Sequence, residues 1–94
     1  MGVPLTFRLQ VLSMRGLIFE EPVESVYLSG VEGEFELLAF HYPLMAALPE
    51  GDIKIAHHEK IAIKVGVVMF KDNECTILVE LDPKCKVMKK SWME

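Results

Sequence analysis

Hydrophobic and polar residues alternate with a period of two over several parts of the chain. Near the N-terminus the two kinds of residue follow one another in the order Leu5, Thr6, Phe7, Arg8, Leu9, Gln10 and Val11. Successive side chains of a β-strand point to opposite faces, so this pattern predicts a strand with one face on a core and the other in water.

Two hairpins are predicted in the second half of the chain. Ile53 and Ile55 alternate with polar residues, and after the polar segment 57–60 the alternation resumes over 61–65. Residues 67–70 and 75–81 flank a second polar segment, in which Asp72 and Asn73 tolerate the backbone angles of a tight reversal. Further strands are predicted near 16–19, 23–29 and 34–38.

The spacing of these segments indicates an all-β fold. Short strands that recur about every 8 to 12 residues are typical of a sandwich or a barrel, and no long helical stripe interrupts them. With 94 residues the chain has room for one core. The strand pattern ends at Leu81, and Pro83 lies two residues further on. We therefore expect one domain over 1–81 and a short C-terminal tail over 82–94.

Composition and charge exclude several classes of partner. The chain is 51% hydrophobic and 26% charged, with a net charge of −4, which does not favour nucleic acid or an anionic membrane surface. Its apolar runs are shorter than the roughly 20 residues that span a bilayer, and it begins without a signal segment, so a cytoplasmic location is expected. Cys75 lies in an apolar run and is expected to be a buried thiol; nothing in the sequence supports a disulfide with Cys85.

Residues that could carry chemistry are few. The sequence contains no nucleophile elbow, phosphate-binding loop or paired-carboxylate motif, so neither a catalytic residue nor a cofactor is predicted. His57 and His58 are adjacent and lack a third ligand at a zinc-like spacing, which favours a solvated turn over a metal site. Glu32 and Glu34 beside Gly33 form either a solvated loop or a partner contact. His41 is either a packed histidine or a ligand.

Four short motifs occur in a characteristic order. They are Leu-Gln-Val-Leu-Ser at 9–13, Gly-Val-Glu-Gly-Glu-Phe at 30–35, His-Tyr-Pro-Leu-Met at 41–45 and Thr-Ile-Leu-Val at 76–79. Over residues 5–81 the chain resembles the N-terminal domain of the epsilon subunit of F-type ATP synthases. It departs from the family at 36–40, where Glu-Leu-Leu-Ala-Phe stands in place of the usual Gly-Ile-Leu-Pro-Gly.

The resemblance implies a flattened two-sheet β-sandwich of about ten short strands. It also implies a non-catalytic rotor subunit of the central stalk, which couples rotation of the gamma subunit to the c ring in ATP synthesis driven by protons or sodium ions. Such a subunit is peripheral and lies at the cytoplasmic face of the cell inner membrane. By the same resemblance, Glu32, Gly33 and Glu34 would contact the c ring, and Ser13 and His41 would contact gamma.

Members of this family usually continue with two antiparallel helices that can inhibit ATP hydrolysis and, in some members, bind ATP. The tail over 82–94 is too short for such a hairpin, so the resemblance predicts coupling without that inhibition or ATP binding. Two alternatives stay open. One is a paralogous β-sandwich that binds another protein outside any ATP synthase. The other is a metal- or ligand-binding sandwich that uses His57, His58 and Cys85.

Overall fold

A computed structural model of the chain describes residues 5–82, which form eight β-strands and no helix. The strands are β1 (Phe7–Ser13), β2 (Gly16–Val23), β3 (Ser25–Gly30), β4 (Gly33–Leu38), β5 (Leu44–Leu48), β6 (Gly51–Ile55), β7 (Ile61–Lys71) and β8 (Glu74–Leu81). The predicted all-β architecture is confirmed, with eight strands among the described residues in place of about ten. The tail predicted from residue 83 onward lies outside the described residues.

The strands pair in the order β2-β1-β8-β7-β6-β3-β4, and β5 pairs with β7. All of these pairs are antiparallel except β1 with β8, which run parallel. The first part of β7 pairs with β6, and its later part pairs with β5 and β8. Two layers result: a first sheet of β2, β1, β8, β7 and β5, and a second sheet of β4, β3, β6 and the start of β7.

The core lies between the two sheets and is apolar throughout. Every other residue of β1 is buried, as the alternation predicts, and β6 and β8 contribute buried residues in the same way. Phe7 and Phe70 are both about 1% exposed and meet edge to face, with ring centroids 5.2 Å apart. No polar side chain of the described residues is buried in this core.

The long strand β7 corrects the prediction of two separate hairpins. Residues 61–65 and 67–70 were expected to belong to different strands, but Ile61–Lys71 is continuous. Its pairing with β8 shifts register between Ile63 and Val65, a bulge that accompanies the passage from one sheet to the other. Gly66 follows the bulge, where a Cβ would lie 2.8 Å from the Leu78 carbonyl oxygen. A larger residue there would therefore displace the backbone of β8.

The turn between β7 and β8 has the form predicted from its sequence. Lys71 pairs with Glu74, so the loop contains only Asp72 and Asn73. Both residues have positive φ, 53° and 60°. This is the backbone of the two-residue hairpin loop that suits the twist of the flanking strands, and Asp and Asn are among the residues that adopt it most readily.

Candidate functional site

The acidic turn joins β3 to β4 and exposes both of its carboxylates. Gly30 pairs with Gly33, so only Val31 and Glu32 form the loop. Gly33 has φ of 122°, a conformation that side chains rarely adopt, which explains the glycine between the two acidic residues. Glu32 and Glu34 are exposed, and Glu34 Oε2 lies 3.8 Å from Lys54 Nζ. The turn therefore presents one unpaired carboxylate and one that is shared with an exposed lysine.

Ser13 is engaged in the turn between β1 and β2. Its hydroxyl oxygen accepts a hydrogen bond from the Arg15 amide at 3.0 Å and donates to the Gly16 carbonyl at 3.4 Å. The residue is half-buried. Its side chain therefore stabilises the turn, and it can contact a partner only along the exposed side of that turn.

His41 is packed against the end of the core. Its ring lies edge-on to Phe70 at a centroid distance of 5.7 Å and beside Tyr42 at 4.3 Å. The Nδ1 atom lies 2.7 Å from the Tyr42 carbonyl oxygen, and the backbone amide of His41 donates to Leu38 at 3.2 Å. The His41 ring is half-buried, whereas the neighbouring Tyr42 is exposed.

Asn73 fixes the loop that carries His41, a role that the sequence analysis did not predict. Its Oδ1 atom accepts a hydrogen bond of 2.6 Å from the Phe40 amide, and its Nδ2 atom donates to the Thr6 carbonyl at 3.0 Å. Its own carbonyl accepts from the Arg8 amide at 3.2 Å. One turn residue thus connects β1, the loop between β4 and β5, and the hairpin of β7 and β8.

The structure separates the two residues expected to contact gamma. Ser13 ends β1, whereas His41 lies near the opposite end of that strand, beside Phe70 and the Asn73 turn. At about 3.3 Å per residue, β1 places them roughly 15 to 20 Å apart. A single partner that contacts both must therefore cover the length of the first sheet.

The outer face of the first sheet, directed away from the core, carries an apolar stripe that crosses the strands at the level of Leu12, next to Ser13. Five residues lie in register on five neighbouring strands: Leu17, Leu12, Leu78, Val67 and Ala47. On four of these strands they alternate with buried residues, so they point away from the core. The stripe crosses four strand spacings, about 19 Å. Met69 and Met45 extend it in the next row.

The outer face of the second sheet is polar by comparison. Tyr27 lies at its centre, in register with Glu36 on one side and Lys54 on the other. Ser29 lies opposite Glu34 in the neighbouring row. The first sheet also carries a polar pair, Gln10 and Glu20, in the row next to the stripe. The stripe itself is the more apolar of the two outer surfaces and has the character of a surface that a protein partner covers.

The adjacent histidines lie beside two different carboxylates. His57 Nε2 lies 3.7 Å from a carboxylate oxygen of Glu24, and His58 Nε2 lies 3.5 Å from one of Glu21. Within residues 5–82, no three His, Cys, Asp or Glu side chains are grouped so that they could hold a metal ion. Cys85, the third ligand of the metal alternative, lies outside those residues.

Cys75 is buried, as predicted from its apolar surroundings. Burial raises the pKa of its thiol to about 12. Among the described residues there is no helix with the length and apolarity needed to cross a bilayer.

A sequence model of the family described as "ATP synthase, Delta/Epsilon chain, beta-sandwich domain" matches residues 6–81. The chain belongs to this family. The match includes all eight strands, the acidic turn, the loop that carries His41 and the Asn73 turn.

Curated relatives agree with this assignment. The chain is 39% identical over 79 residues to the ATP synthase epsilon chain of Nitratiruptor sp., an alignment that covers 80% of this chain and 61% of the relative. It is 38% identical over 78 residues to that of Desulfitobacterium hafniense, with coverage of 80% and 59%. The alignment therefore spans about three fifths of the length of these relatives.

Solved structures of low sequence identity share the fold of this ATP synthase family member. A chain of the Euglena gracilis mitochondrial ATP synthase structure that contains OSCP, F1 and the c ring superposes with a TM-score of 0.71 at 22% identity. The superposition covers 84% of this chain and 53% of that one. A chain of the Tetrahymena thermophila mitochondrial ATP synthase central stalk and c ring gives a TM-score of 0.67 at 15% identity, with coverage of 78% and 62%.

Phe40 shows how this family member accommodates its departure at 36–40. It stands where the family usually has a glycine, and it has φ of 63°. The left-handed region is unfavourable for a residue with a Cβ. The hydrogen bond from the Phe40 amide to Asn73 holds the backbone in that conformation, so the chain keeps a glycine-like turn without the glycine.

Proposed function

We propose that this chain is the β-sandwich part of a non-catalytic central-stalk subunit of an F-type ATP synthase. In this role it couples rotation of the gamma subunit to the c ring during ATP synthesis driven by protons or sodium ions. Residues 1–81 act as the coupling domain and are followed by residues 82–94. The observation that carries the proposal is the family match over 6–81, which extends across both sheets.

The gamma subunit is the proposed partner of the outer face of the first sheet. The apolar stripe supports this choice: Ser13 directly follows Leu12 of the stripe, and a gamma subunit that covers the length of the sheet would also reach His41 at the opposite end of β1. Burial of apolar surface is the main favourable term in most protein association, and the stripe offers more of it than the polar face around Tyr27. A sandwich with a packed apolar core is also stiff, which suits a body that transmits torque.

The c ring is the proposed partner of the acidic turn. Glu32 and Glu34 are exposed on either side of Gly33, at a tight turn that fixes their backbone. Exposed carboxylates favour encounter with basic loops and contribute to orientation more than to affinity. The subunit would then be peripheral at the cytoplasmic face of the cell inner membrane, held there by its contacts with other subunits.

The gamma contact is tested by a pair of matched substitutions on the two outer faces. Leu78, in the middle of the apolar stripe, and Tyr27, on the polar face, are both 43% exposed. We expect Leu78→Glu to weaken binding to a cognate gamma subunit at least about tenfold, because a charge would be desolvated in the interface. Tyr27→Glu should leave binding unchanged. Equal binding by both variants and the wild type, measured by titration calorimetry, would contradict the proposal.

The ring contact is tested separately in a reconstituted complex. The double variant Glu32→Lys, Glu34→Lys reverses both charges of the turn, and Glu59→Lys reverses an exposed charge in the loop between β6 and β7. We expect the double variant to lower ATP-driven proton pumping while gamma binding persists, and Glu59→Lys to behave as wild type. Undiminished pumping by the double variant would remove the ring contact from the proposal.

A further inference from the structure

Three strands of the described sandwich pair on one side only: β2, β4 and β5. An edge strand exposes unpaired backbone groups, and proteins commonly place charges or proline there to prevent pairing with another chain. Strand β2 carries Glu20, Glu21 and Pro22, and β4 carries Glu34 and Glu36. Strand β5, Leu44–Leu48, has the sequence Leu-Met-Ala-Ala-Leu and contains neither a charge nor a proline.

The side of β5 that faces away from β7 pairs with no other strand of the described chain, although β3 approaches β5 where Leu28 and Leu48 line one small cavity. The strand is hydrogen-bonded to β7 in the register Leu44 to Phe70 through Leu48 to Gly66. In the described part of the chain no other backbone hydrogen bond involves residues 44–48. Met45 is 71% exposed and Ala47 is also exposed. An uncharged, apolar edge of this kind is suited to accept another strand.

The sequence of β5 is complementary to itself in one antiparallel register. If two copies pair about Ala46, each Leu44 lies opposite Leu48 of the other copy, and each Met45 lies opposite Ala47. The long side chain of Met45 then fills the space beside a small one on the outer face, and no like charges face each other. We propose that β5 is a strand-addition site for a second copy of this chain, which pairs through it with two-fold symmetry.

The geometry also limits the strength of this pairing. Pro43 and Pro49 flank the strand, and proline cannot donate to a strand ladder, so the shared ladder ends after five residues. Such a ladder contributes about four to six backbone hydrogen bonds across the two-fold axis. An interface of this size belongs to the small, transient class. We therefore expect a reversible dimer that is populated at chain concentrations on the order of 0.1 mM and above.

This inference is independent of the proposed function, because the pairing uses the backbone edge of β5, although the side chains of Met45 and Ala47 also belong to the apolar stripe. Two sheets joined through β5 would continue side by side, and the apolar stripe of each copy would stay open. Face-to-face association through the stripe is a different arrangement. The experiment must therefore distinguish an edge contact from a face contact.

Sedimentation equilibrium of the full 94-residue chain measures the association, with the weight-average mass expected to rise from 10.7 kDa towards twice that value with concentration. Two double variants test the register at exposed positions. Met45→Lys with Ala47→Lys places lysines directly opposite each other and should weaken dimerisation at least about tenfold. Met45→Lys with Ala47→Glu places Lys opposite Glu in the same register and should restore it to within about threefold of the wild type.

Leu78→Glu provides the control for association through the stripe and should leave the dimer unchanged. Three results would overturn the proposal. They are a wild type that stays monomeric at about 1 mM, a Lys/Glu variant as monomeric as the Lys/Lys variant, or a dimer abolished by Leu78→Glu. Circular dichroism of each variant verifies that it is folded, so a loss of association cannot be confused with unfolding.

Discussion

Replacement of Asn73 by alanine should destabilise the whole sandwich, although the residue lies in a two-residue turn. The amide side chain accepts a hydrogen bond from the Phe40 amide at 2.6 Å and donates one to the Thr6 carbonyl at 3.0 Å. Both bonds join parts of the chain that are distant in sequence. Alanine would remove both while keeping the length of the turn.

The expected loss can be worked out from two contributions. Each hydrogen bond contributes about 0.5 to 1.5 kcal/mol, so the two together contribute about 1 to 3 kcal/mol. Asn73 also has φ of 60°, and alanine adopts this region less readily than asparagine, which adds about 0.5 to 1 kcal/mol. Asn73→Ala should therefore lower the free energy of unfolding by about 1.5 to 4 kcal/mol, or Tm by about 6 to 30 °C.

Urea denaturation followed by circular dichroism measures the total loss, with Asn73→Gly as the matched control. Glycine adopts positive φ without strain but also lacks the side-chain amide. Asn73→Gly should therefore lose only the part of the free energy of unfolding that comes from the two hydrogen bonds. Hydrogen exchange gives a local measurement, because the Phe40 amide donates to Asn73 and should exchange faster in both variants. The reasoning is refuted if either variant unfolds within about 0.5 kcal/mol of the wild type and the Phe40 amide keeps its protection.

Three further predictions concern Phe40, Glu20 and Cys75. Phe40→Gly should stabilise the chain by up to about 1 kcal/mol and Phe40→Val should destabilise it by a similar amount, because φ is 63° there; urea midpoints that move in the same direction would contradict this. Hydrogen bonds from Gln10 and Arg8 lower the pKa of Glu20 below its ordinary 4.5, so the stability that Glu20 contributes is present above that pH and is lost as the pH falls through the folded pKa. The urea midpoint of Glu20→Gln should therefore approach that of the wild type between pH 6 and pH 3, and a constant gap would exclude the effect. With Cys85→Ser as background, Cys75 should react with iodoacetamide at pH 8 at least about a hundredfold faster after unfolding, since burial raises its pKa to about 12; comparable native and unfolded rates would show that the thiol is accessible.

The parts of the fold that sequence analysis predicted correctly have one face in the core and one in water. Strand β1 and the hairpin turn at Asp72 and Asn73 are the clearest cases, because alternation and turn chemistry are local properties. The N-terminal boundary was less accurate: Leu5 continues the alternation, yet it is 68% exposed and precedes β1. A strand needs a partner for its backbone, and residue 5 has none in the register of β1 with β2 or β8.

The parts that were missed depend on contacts between distant segments. Strand β5 was not predicted because Leu-Met-Ala-Ala-Leu shows no alternation, and its position follows only from pairing with β7. Strand β7 was divided because residues 61–65 and 67–70 were assigned to two different hairpins, and its continuity across Gly66 follows only from its pairing with β6, β5 and β8. Sequence analysis identified Asn73 as a turn residue, but its bonds to Phe40 and Thr6 leave no local pattern.

The candidate site shows the same division. The acidic turn could be identified from Glu32, Gly33 and Glu34, because a glycine between exposed acidic residues is a local signal. The apolar stripe could not, since its five residues come from five strands and meet only through the register of the first sheet. The separation of Ser13 and His41 along β1 is likewise invisible before the strands are paired.

The strands without alternation nevertheless carry information about the surface. An antiparallel strand with one face in water should alternate apolar and polar residues, as β6 does. In the middle of the first sheet, β5, β7 and β8 carry apolar residues at outward positions: Ala47, Val67 and Leu78 each lie next to a buried residue of the same strand. The core needs only one face of each strand, so the second apolar face is not required for folding the isolated domain. Outward apolar residues have a physical reason if a partner covers that face. The missing alternation in the middle of the first sheet therefore supports docking at the apolar stripe, as does the register that aligns its five residues.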